Sequence, residues 1–328
     1  MGKAPADKAT RKKPVQARAA TLPATGVVVG MVGLGIMGSA MSANLVQAGF
    51  TVLGYDPVEK ARARLKKAGG TPCDNVVEVA SRCQFILLSL PSEAALDDVC
   101  AELIAGGSKG LVVAETSTLP EQAKLRALTT LASRGIVLLD CPLSGTGAQA
   151  LTRDLAVYAS GDLKSIQQFA AVFEGFARVR YDVGAFGNGM RMKLVANLLV
   201  AIHNVSAAEA LLMGVRAGLD PALLVKVVAD GAGGSRMLQL RGPVMVDRSW
   251  GKATMKVSTW QKDMRLINDA LQATDTPAPL FAACMPVYNA AMALGHGPDD
   301  TAAVYSVLEH MMGAAPDAGK KRQKKKKS

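Results

Sequence analysis

The sequence has little aromatic or histidine content and no cysteine pair. Two tryptophans, five tyrosines and seven phenylalanines leave the apolar half of the chain to alanine, valine and leucine, the make-up of an ordinary soluble globular protein. The five cysteines (Cys73, Cys83, Cys100, Cys141 and Cys284) are odd in number and scattered. None has a paired metal spacing, and His203, His296 and His310 form no cluster with them. The expectation is no metal, and buried free thiols in a reducing, cytoplasmic compartment. The N-terminus lacks the apolar central run of a secretory signal. It is basic like a transit peptide but carries Asp7 and little apolar periodicity. No uninterrupted apolar run reaches the ~18 residues that span a bilayer.

What is present begins with charge. The net charge is +11 over 328 residues, a length that suggests two domains. Residues 1–25 hold six Lys/Arg against Asp7 alone, and residues 314–328 hold seven against Asp317 alone. These tails account for the whole excess, so the stretch between them is neutral. Both tails are poor in large apolar residues and are expected to be disordered. The Lys320–Lys327 run reads either as a solubilising tail or as a contact for nucleic acid or another anionic surface.

Within the neutral stretch, Val27–Val32 is a short apolar run ending in Gly33-Leu34-Gly35-Ile36-Met37-Gly38. A helical pattern follows, closed by Gly49, and a second strand, Thr51–Tyr55, ends at Asp56. The first glycine permits a tight turn, the second lets a pyrophosphate approach the backbone, and the third lets helix and strand pack closely. The helix N-terminus then offers free N–H groups and a positive dipole end to phosphates. Asp56 stands 23 positions after Gly33, where an acid bonds the ribose hydroxyls of NAD. In NADP a phosphate would face that carboxylate, which favours NAD. Asp56-Pro57 offers no guanidinium, although Lys60, Arg62 and Arg64 on the next helix could partly compensate.

Alternation of short strands and helices continues to about residue 182. Strands are expected at 85–90, 111–115, 136–139, 155–160 and 178–182, and helices at 60–68, 75–82, 93–104, 119–134 and 166–176. The pattern predicts a doubly wound, mainly parallel Rossmann-type α/β sheet. Ligands in such sheets bind at the carboxyl ends of strands. Here those ends are the glycine turn, Leu90-Pro91, Thr116–Thr118 and Ser144–Gly147.

After Gly187 the strand signals stop. Large aliphatic residues and alanines at 194, 198, 201, 205, 208, 212 and 215 draw one stripe on a long helix. Lys193 and Asn197, four apart, share a face beside it. A lysine at the mouth of a helix is mildly disfavoured by the dipole. It reads as a functional group or as a snorkelling surface residue. Further helices are expected at 221–229, 259–273, 279–294 and 300–312, with 231–235 a loop. The expected domains are a basic tail (1–25), a dinucleotide-binding domain (26–188), an all-helical substrate and oligomerisation domain (189–313) and a lysine-rich tail (314–328).

Four motifs in order over about residues 27–312 carry a family resemblance. They are Gly33–Gly38 with Met41 and Asn44-Leu45; Asp140-Cys141-Pro142-Leu143-Ser144-Gly145; Gly187-x-Gly189-x-x-x-Lys193-x-x-x-Asn197; and Lys262-Asp263-Met264. The chain resembles the β-hydroxyacid dehydrogenases, the group containing 3-hydroxyisobutyrate dehydrogenase and tartronate semialdehyde reductase. The resemblance implies that Lys193 is the catalytic acid/base and that Asn197 binds substrate beside it. It implies that Ser144 and Gly145, with Thr146 next to them, hold the substrate carboxylate. Leu90, Pro91, Thr118 and Lys262 would contact the nicotinamide cofactor. A homo-oligomer, dimer or tetramer, with a 6-phosphogluconate dehydrogenase-like C-terminal domain is also implied.

The chain departs from the family pattern at Ala196, in a substrate loop that is one residue shorter, and at Arg153-Asp154 in place of Gly-Thr or Gly-Asn. Gly231–Ser235, Arg241-Gly242-Pro243 and Gly295–Asp300 look like the branch that oxidises four-carbon sugar acids such as L-threonate. Asp299 and Asp300 also read as helix N-caps, and His296 as loop structure.

Hydride transfer leaves an alkoxide-like oxygen in need of a proton. An ammonium supplies it in reduction, and the neutral amine accepts it in oxidation. Burial and a positive helix end would both lower the pKa of Lys193 toward working pH. Two other readings are a non-enzymatic nucleic-acid-associated protein on the same fold and an imine reductase. An intact Lys193 counts against both.

Overall fold

The computed structural model describes residues 26–313; both basic tails, and the expectations about them, lie outside the described residues. The chain opens with β1 (Val28–Val32), α1 (Ile36–Gln47), β2 (Thr51–Tyr55), α2 (Glu59–Lys67), β3 (Thr71–Pro72), α3 (Val76–Arg82) and β4 (Phe85–Leu88). It continues through α4 (Glu93–Gly106), β5 (Val112–Glu115), α5 (Glu121–Ala132) and β6 (Val137–Asp140). These strands form one six-stranded sheet in the order β3-β2-β1-β4-β5-β6. Every pairing in it is parallel. Helices cover both faces, so β1, β4 and β5 read as near-continuous apolar runs. One core lies on each side of the sheet. Met41, Leu45, Phe169 and Phe173 anchor the first, and Val79, Ile86, Leu96 and Leu131 the second.

A second, three-stranded sheet follows. Its strands are β7 (Leu143–Ser144), β8 (Ala156–Ala159) and β9 (Val179–Asp182), with α6 (Gly147–Leu151), α7 (Leu163–Gln168) and α8 (Ala170–Phe176) between them. Strands β7 and β8 are antiparallel, β8 and β9 parallel. The two strands expected at 155–160 and 178–182 thus belong to a sheet of their own. The helix expected at 166–176 is broken at Phe169, and the one expected at 119–134 starts at Glu121 with Pro120 as its N-cap.

The remainder is helical: α9 (Asn188–Arg216), α10 (Pro221–Asp230), α11 (Arg236–Val246), α12 (Val257–Ala273), α13 (Pro279–Ala293), a 3₁₀ turn (Thr301–Ala303) and α14 (Val304–Met311). Helix α9, 29 residues long, is apolar enough by length and composition to cross a membrane. Here it is the spine of the helical half. Its Ala201, Val205, Ala208 and Leu212 pack into a core with Trp260, Ile267, Phe281, Tyr288 and Val304. Residues 236–246 form a helix where none was expected, with Ser235 capping it through Leu238 N at 3.1 Å. Asp300 caps the 3₁₀ turn, as its N-cap reading has it, and also forms a buried ion pair with Arg241 at 3.1 Å. Asp299 pairs with His296 instead, at 2.8 Å.

Candidate active site

The sheet order reverses between β1 and β4, and the glycine turn lies at that point. A Cβ on Gly33 would sit 2.2 Å from the Ser89 carbonyl oxygen, and one on Gly38 1.9 Å from that of Gly33. Neither position admits a side chain. At Gly35 a Cβ would meet nothing within 4 Å. Gly35 is the N-cap of α1, and no side chain caps that helix end. The first N–H groups and the positive dipole end therefore face open space, an arrangement suited to a pyrophosphate. The residues present fit a dinucleotide. Leu34 turns its side chain fully into the core and Ile36 is exposed, so this turn offers mainly backbone to a ligand.

Asp56 follows β2 directly. Its Oδ2 accepts from Leu34 N at 2.7 Å and its Oδ1 from Val58 N at 2.8 Å. The carboxylate is held in place, and each oxygen keeps a lone pair. Guanidinium groups do reach this end of the sheet. Arg62 donates to the Asp56 carbonyl at 2.6 Å and Arg64 to that of Leu34 at 3.2 Å. The ends of β4 and β5 are tied together by Ser117, whose hydroxyl accepts from Leu90 N at 2.7 Å. Ser117 does not stand out in the sequence, where it reads as one more residue of a Thr-Ser-Thr loop. Pro91 is exposed at this edge, and Leu90 and Thr118 are half-buried.

Ser144 ends β7, paired in register with Ala156 of β8. Gly145 has φ +137°, a left-handed conformation that favours glycine. Thr146, expected to contact substrate, also has a structural task. It is the N-cap of α6, and its N–H donates to Gln149 Oε1 at 3.0 Å. A Cβ on Gly147 would lie 2.5 Å from Ile36 Cγ2, so this loop rests against the glycine turn.

Helix α9 starts at Asn188, earlier than the stripe suggests. Gly187, at φ +93°, is its N-cap. At Gly189 a Cβ would come within 2.6 Å of the Asp140 and Tyr158 carbonyl oxygens, which explains the Gly-x-Gly pair. Met190 N donates to Asp140 Oδ2 at 2.8 Å and Gly189 N to Ser160 Oγ at 3.0 Å. The positive helix end therefore faces the Asp140 carboxylate. Asp140 Oδ1 and Glu115 Oε2 both lie 2.7 Å from Lys124 Nζ, all three side chains fully buried. Burial alone would lower the Lys124 pKa, but the two carboxylates outweigh it and raise it.

Lys193 lies in the second turn of α9, not at its mouth. Lys193 and Asn197 are both buried and sit within the packed face rather than beside it. The Lys193 pKa is lowered, first by burial and further by Lys262, against the opposing pull of Asp263. Burial is thus the leading cause; a helix dipole fades within the first turn, and here Asp140 faces its end. The Lys193 ammonium makes no hydrogen bond or ion pair with another described residue. Asn197 Nδ2 donates to Asp263 Oδ2 at 3.0 Å, leaving Oδ1 and one N–H. Asp263 also pairs with Lys262 at 2.9 Å, and Lys262 Nζ donates to the Thr118 carbonyl. This chain of contacts runs from the β5 edge through α12 to α9, and Asp263 is the link that connects three expected site residues.

Fold and site together define a nicotinamide-dependent oxidoreductase with a Rossmann-type sheet and a helical second half. The profile described as the NAD binding domain of 6-phosphogluconate dehydrogenase matches residues 28–189. That of the NAD-binding domain of NADP-dependent 3-hydroxyisobutyrate dehydrogenase matches residues 187–308. The chain is 31% identical over 285 residues to L-threonate dehydrogenase of Cupriavidus necator, covering 85% of this chain and 95% of that one. It is 30% identical over 287 residues to glyoxylate/succinic semialdehyde reductase 2 of Arabidopsis thaliana, covering 86% and 80%. Among solved structures, 3-hydroxyisobutyrate dehydrogenase of Mycobacterium tuberculosis superposes with a TM-score of 0.78 at 26% identity, covering 87% and 99%. The chain belongs to this hydroxyacid dehydrogenase family. The reading as a non-enzymatic module falls with that membership.

Proposed function

We propose that the protein transfers a hydride between NAD and a small hydroxy acid, either a 3-hydroxy acid or a four-carbon sugar acid such as threonate, with Lys193 as general acid/base. Support comes from one observation above the rest: a buried lysine with lowered pKa and no described partner, set beside Asn197 and Asp263. In oxidation the neutral Lys193 amine takes the hydroxyl proton; in reduction its ammonium returns one. Asn197 orients the hydroxyl through the groups that Asp263 leaves free. Ser144, the backbone at Gly145 and Thr146 hold the carboxylate. The cofactor, when bound, carries the hydride. Gly33, Leu34, Gly35, Ile36, Met37 and Gly38 cradle its pyrophosphate, with Leu90, Pro91, Thr118 and Lys262 lining the path to the substrate. Asp56 favours NAD over NADP, and Arg62 and Arg64 keep NADP from being excluded.

Residues 26–188 would then hold the cofactor, and residues 189–313 the catalytic lysine and the contacts between copies. Leu219, Leu223 and Val227 are exposed and spaced four apart, which supports a homo-oligomer. The five cysteines are free and buried, which supports a reducing, cytoplasmic setting. An imine reductase is the weaker reading, since Lys193 is intact. The test is NAD reduction across a panel of small hydroxy and sugar acids with wild type and Lys193→Ala. Turnover should fall at least ~10²-fold in the variant. Near wild-type turnover with the fold intact would remove Lys193 from the chemistry.

A further inference from the structure

A cavity of about 370 Å³ opens beside Ser144, lined also by Gln149, Asp154, Ala156, Arg178 and Arg236. Ser144 is the residue assigned above to the substrate carboxylate. The rest of the lining has no part in that assignment. Three charged side chains meet there from separate parts of the chain. Asp154 follows α6, Arg178 precedes β9, and Arg236 is the first residue of α11, across the cleft in the helical half. Arg178 Nε is 2.8 Å from Asp154 Oδ1, and Arg236 Nη2 is 2.7 Å from Asp154 Oδ2. Gln149 Nε2 donates to the same Oδ2 at 3.1 Å. The hydrogen bond from Gln149, then Arg178 and Arg236, hold the Asp154 pKa below the ordinary carboxylate value, so it is ionised at neutral pH.

The balance is two guanidinium groups to one carboxylate. Each guanidinium gives Asp154 a single N–H, and neither has another partner among the described residues. A guanidinium carries five N–H donors; with Arg178 63% and Arg236 60% exposed, the remaining donors face solvent, where an anion can reach them. The backbone is bent to make the arrangement. Arg153 has φ +60°, an uncommon conformation for a residue with a side chain, and its guanidinium anchors the turn on the Glu174 carbonyl. The next residue, Asp154, thereby lines the cavity.

We propose that Arg178 and Arg236 form an anion subsite that takes the second carboxylate of a dicarboxylic hydroxy acid, with Asp154 holding both guanidinium groups in place until the substrate arrives. This rests on the reading of the protein as a hydroxyacid dehydrogenase. Of the two substrate classes it favours 3-hydroxy acids with two anionic ends, one at Ser144 and one at the arginines, over threonate, which has a single carboxylate. An arriving carboxylate competes with Asp154 for Arg236 and can accept two parallel N–H bonds from it.

The test compares malate with 3-hydroxybutyrate, two four-carbon hydroxy acids that differ by a carboxylate in place of a methyl. In wild type the ratio of kcat/KM, malate over 3-hydroxybutyrate, should favour malate. Arg236→Ala should lower that ratio at least about tenfold, the scale of a lost charge-assisted hydrogen bond. Asp154→Asn should raise it, because a competing charge is removed while the cavity keeps its shape. If the pair were only a tie between the two halves, both variants would change the two substrates alike, and the proposal would be overturned. Calorimetric titration with succinate and butyrate gives a readout that needs no turnover. Wild type should prefer succinate, and Arg236→Ala should lose that preference. If neither hydroxy acid reacts but succinate binding depends on Arg236, the subsite stands and the assigned reaction fails. Equal binding of succinate and butyrate by wild type overturns the subsite.

Discussion

At the scale of single residues, the site is governed by what surrounds Lys193. The sequence displays Lys193 and Asn197 through their spacing of four, and Asp263 through its place after Lys262. It cannot display that Asp263 receives the Asn197 amide at 3.0 Å or that its charge opposes the burial of Lys193. Those are contacts between residues far apart along the chain, and nothing local encodes them. They lead to a prediction with a definite sign. Oxidation needs the neutral amine, so its kcat/KM rises with pH through the Lys193 pKa. Asp263 favours the ammonium and so raises that pKa; Asp263→Asn removes the pull and moves the rise to lower pH. A pH profile of kcat/KM decides it, and an unchanged or upward-shifted midpoint would show that Asp263 does not set the protonation of Lys193. Thr146 illustrates the opposite limit: beside the substrate role that its loop position suggests, it caps α6 with Gln149, only three residues on.

Among elements, most strands and helices are legible because the parallel sheet buries both faces and the helices keep one apolar stripe. Helix α11 is not. Proline disfavours a helix interior because it lacks an N–H, yet Pro243 lies inside this one. The junction of α9 with the sheet is equally hidden. Glycines at 187 and 189 are visible, but not the reason for them, which is that the helix start lies against the Asp140 and Tyr158 carbonyls. The Asp140 carboxylate serves three partners there, the Lys124 ammonium, the Met190 N–H and the Ser160 hydroxyl. Asp140→Asn should therefore destabilise the protein by several kcal/mol, on the order of 3–5 for a broken buried ion pair. Turnover should fall with it, through the displaced α9. Urea unfolding monitored by circular dichroism measures the first effect. A loss under about 1 kcal/mol would mean that Glu115 alone suffices for Lys124.

For the whole molecule, composition is informative only once it is located. The excess charge belongs to the two tails, and the stretch between them is neutral. Its surface carries apolar residues that the fold does not cover: Leu219, Leu223 and Val227 around α10, and Met213 at 78% exposure near the end of α9. Sequence periodicity marks such residues as apolar without saying what covers them. We expect sedimentation analysis to find a dimer or larger, and Leu223→Glu with Val227→Glu to shift the population toward monomer. A wild-type chain that sediments as a monomer would show that these residues do not join copies. The seating of α9 on Asp140 has one more consequence, in the response to heat. The helical half has its own core, centred on Trp260, Phe281 and Tyr288, and the sheet has its own on each face. The start of the Lys193 helix is tied to the sheet side through Asp140 and Ser160, and Lys262 reaches the Thr118 carbonyl, so the placement of Lys193 depends on how the two halves meet. Activity is therefore expected to be lost on heating before most of the helix content, which parallel melting curves followed by turnover and by circular dichroism would check.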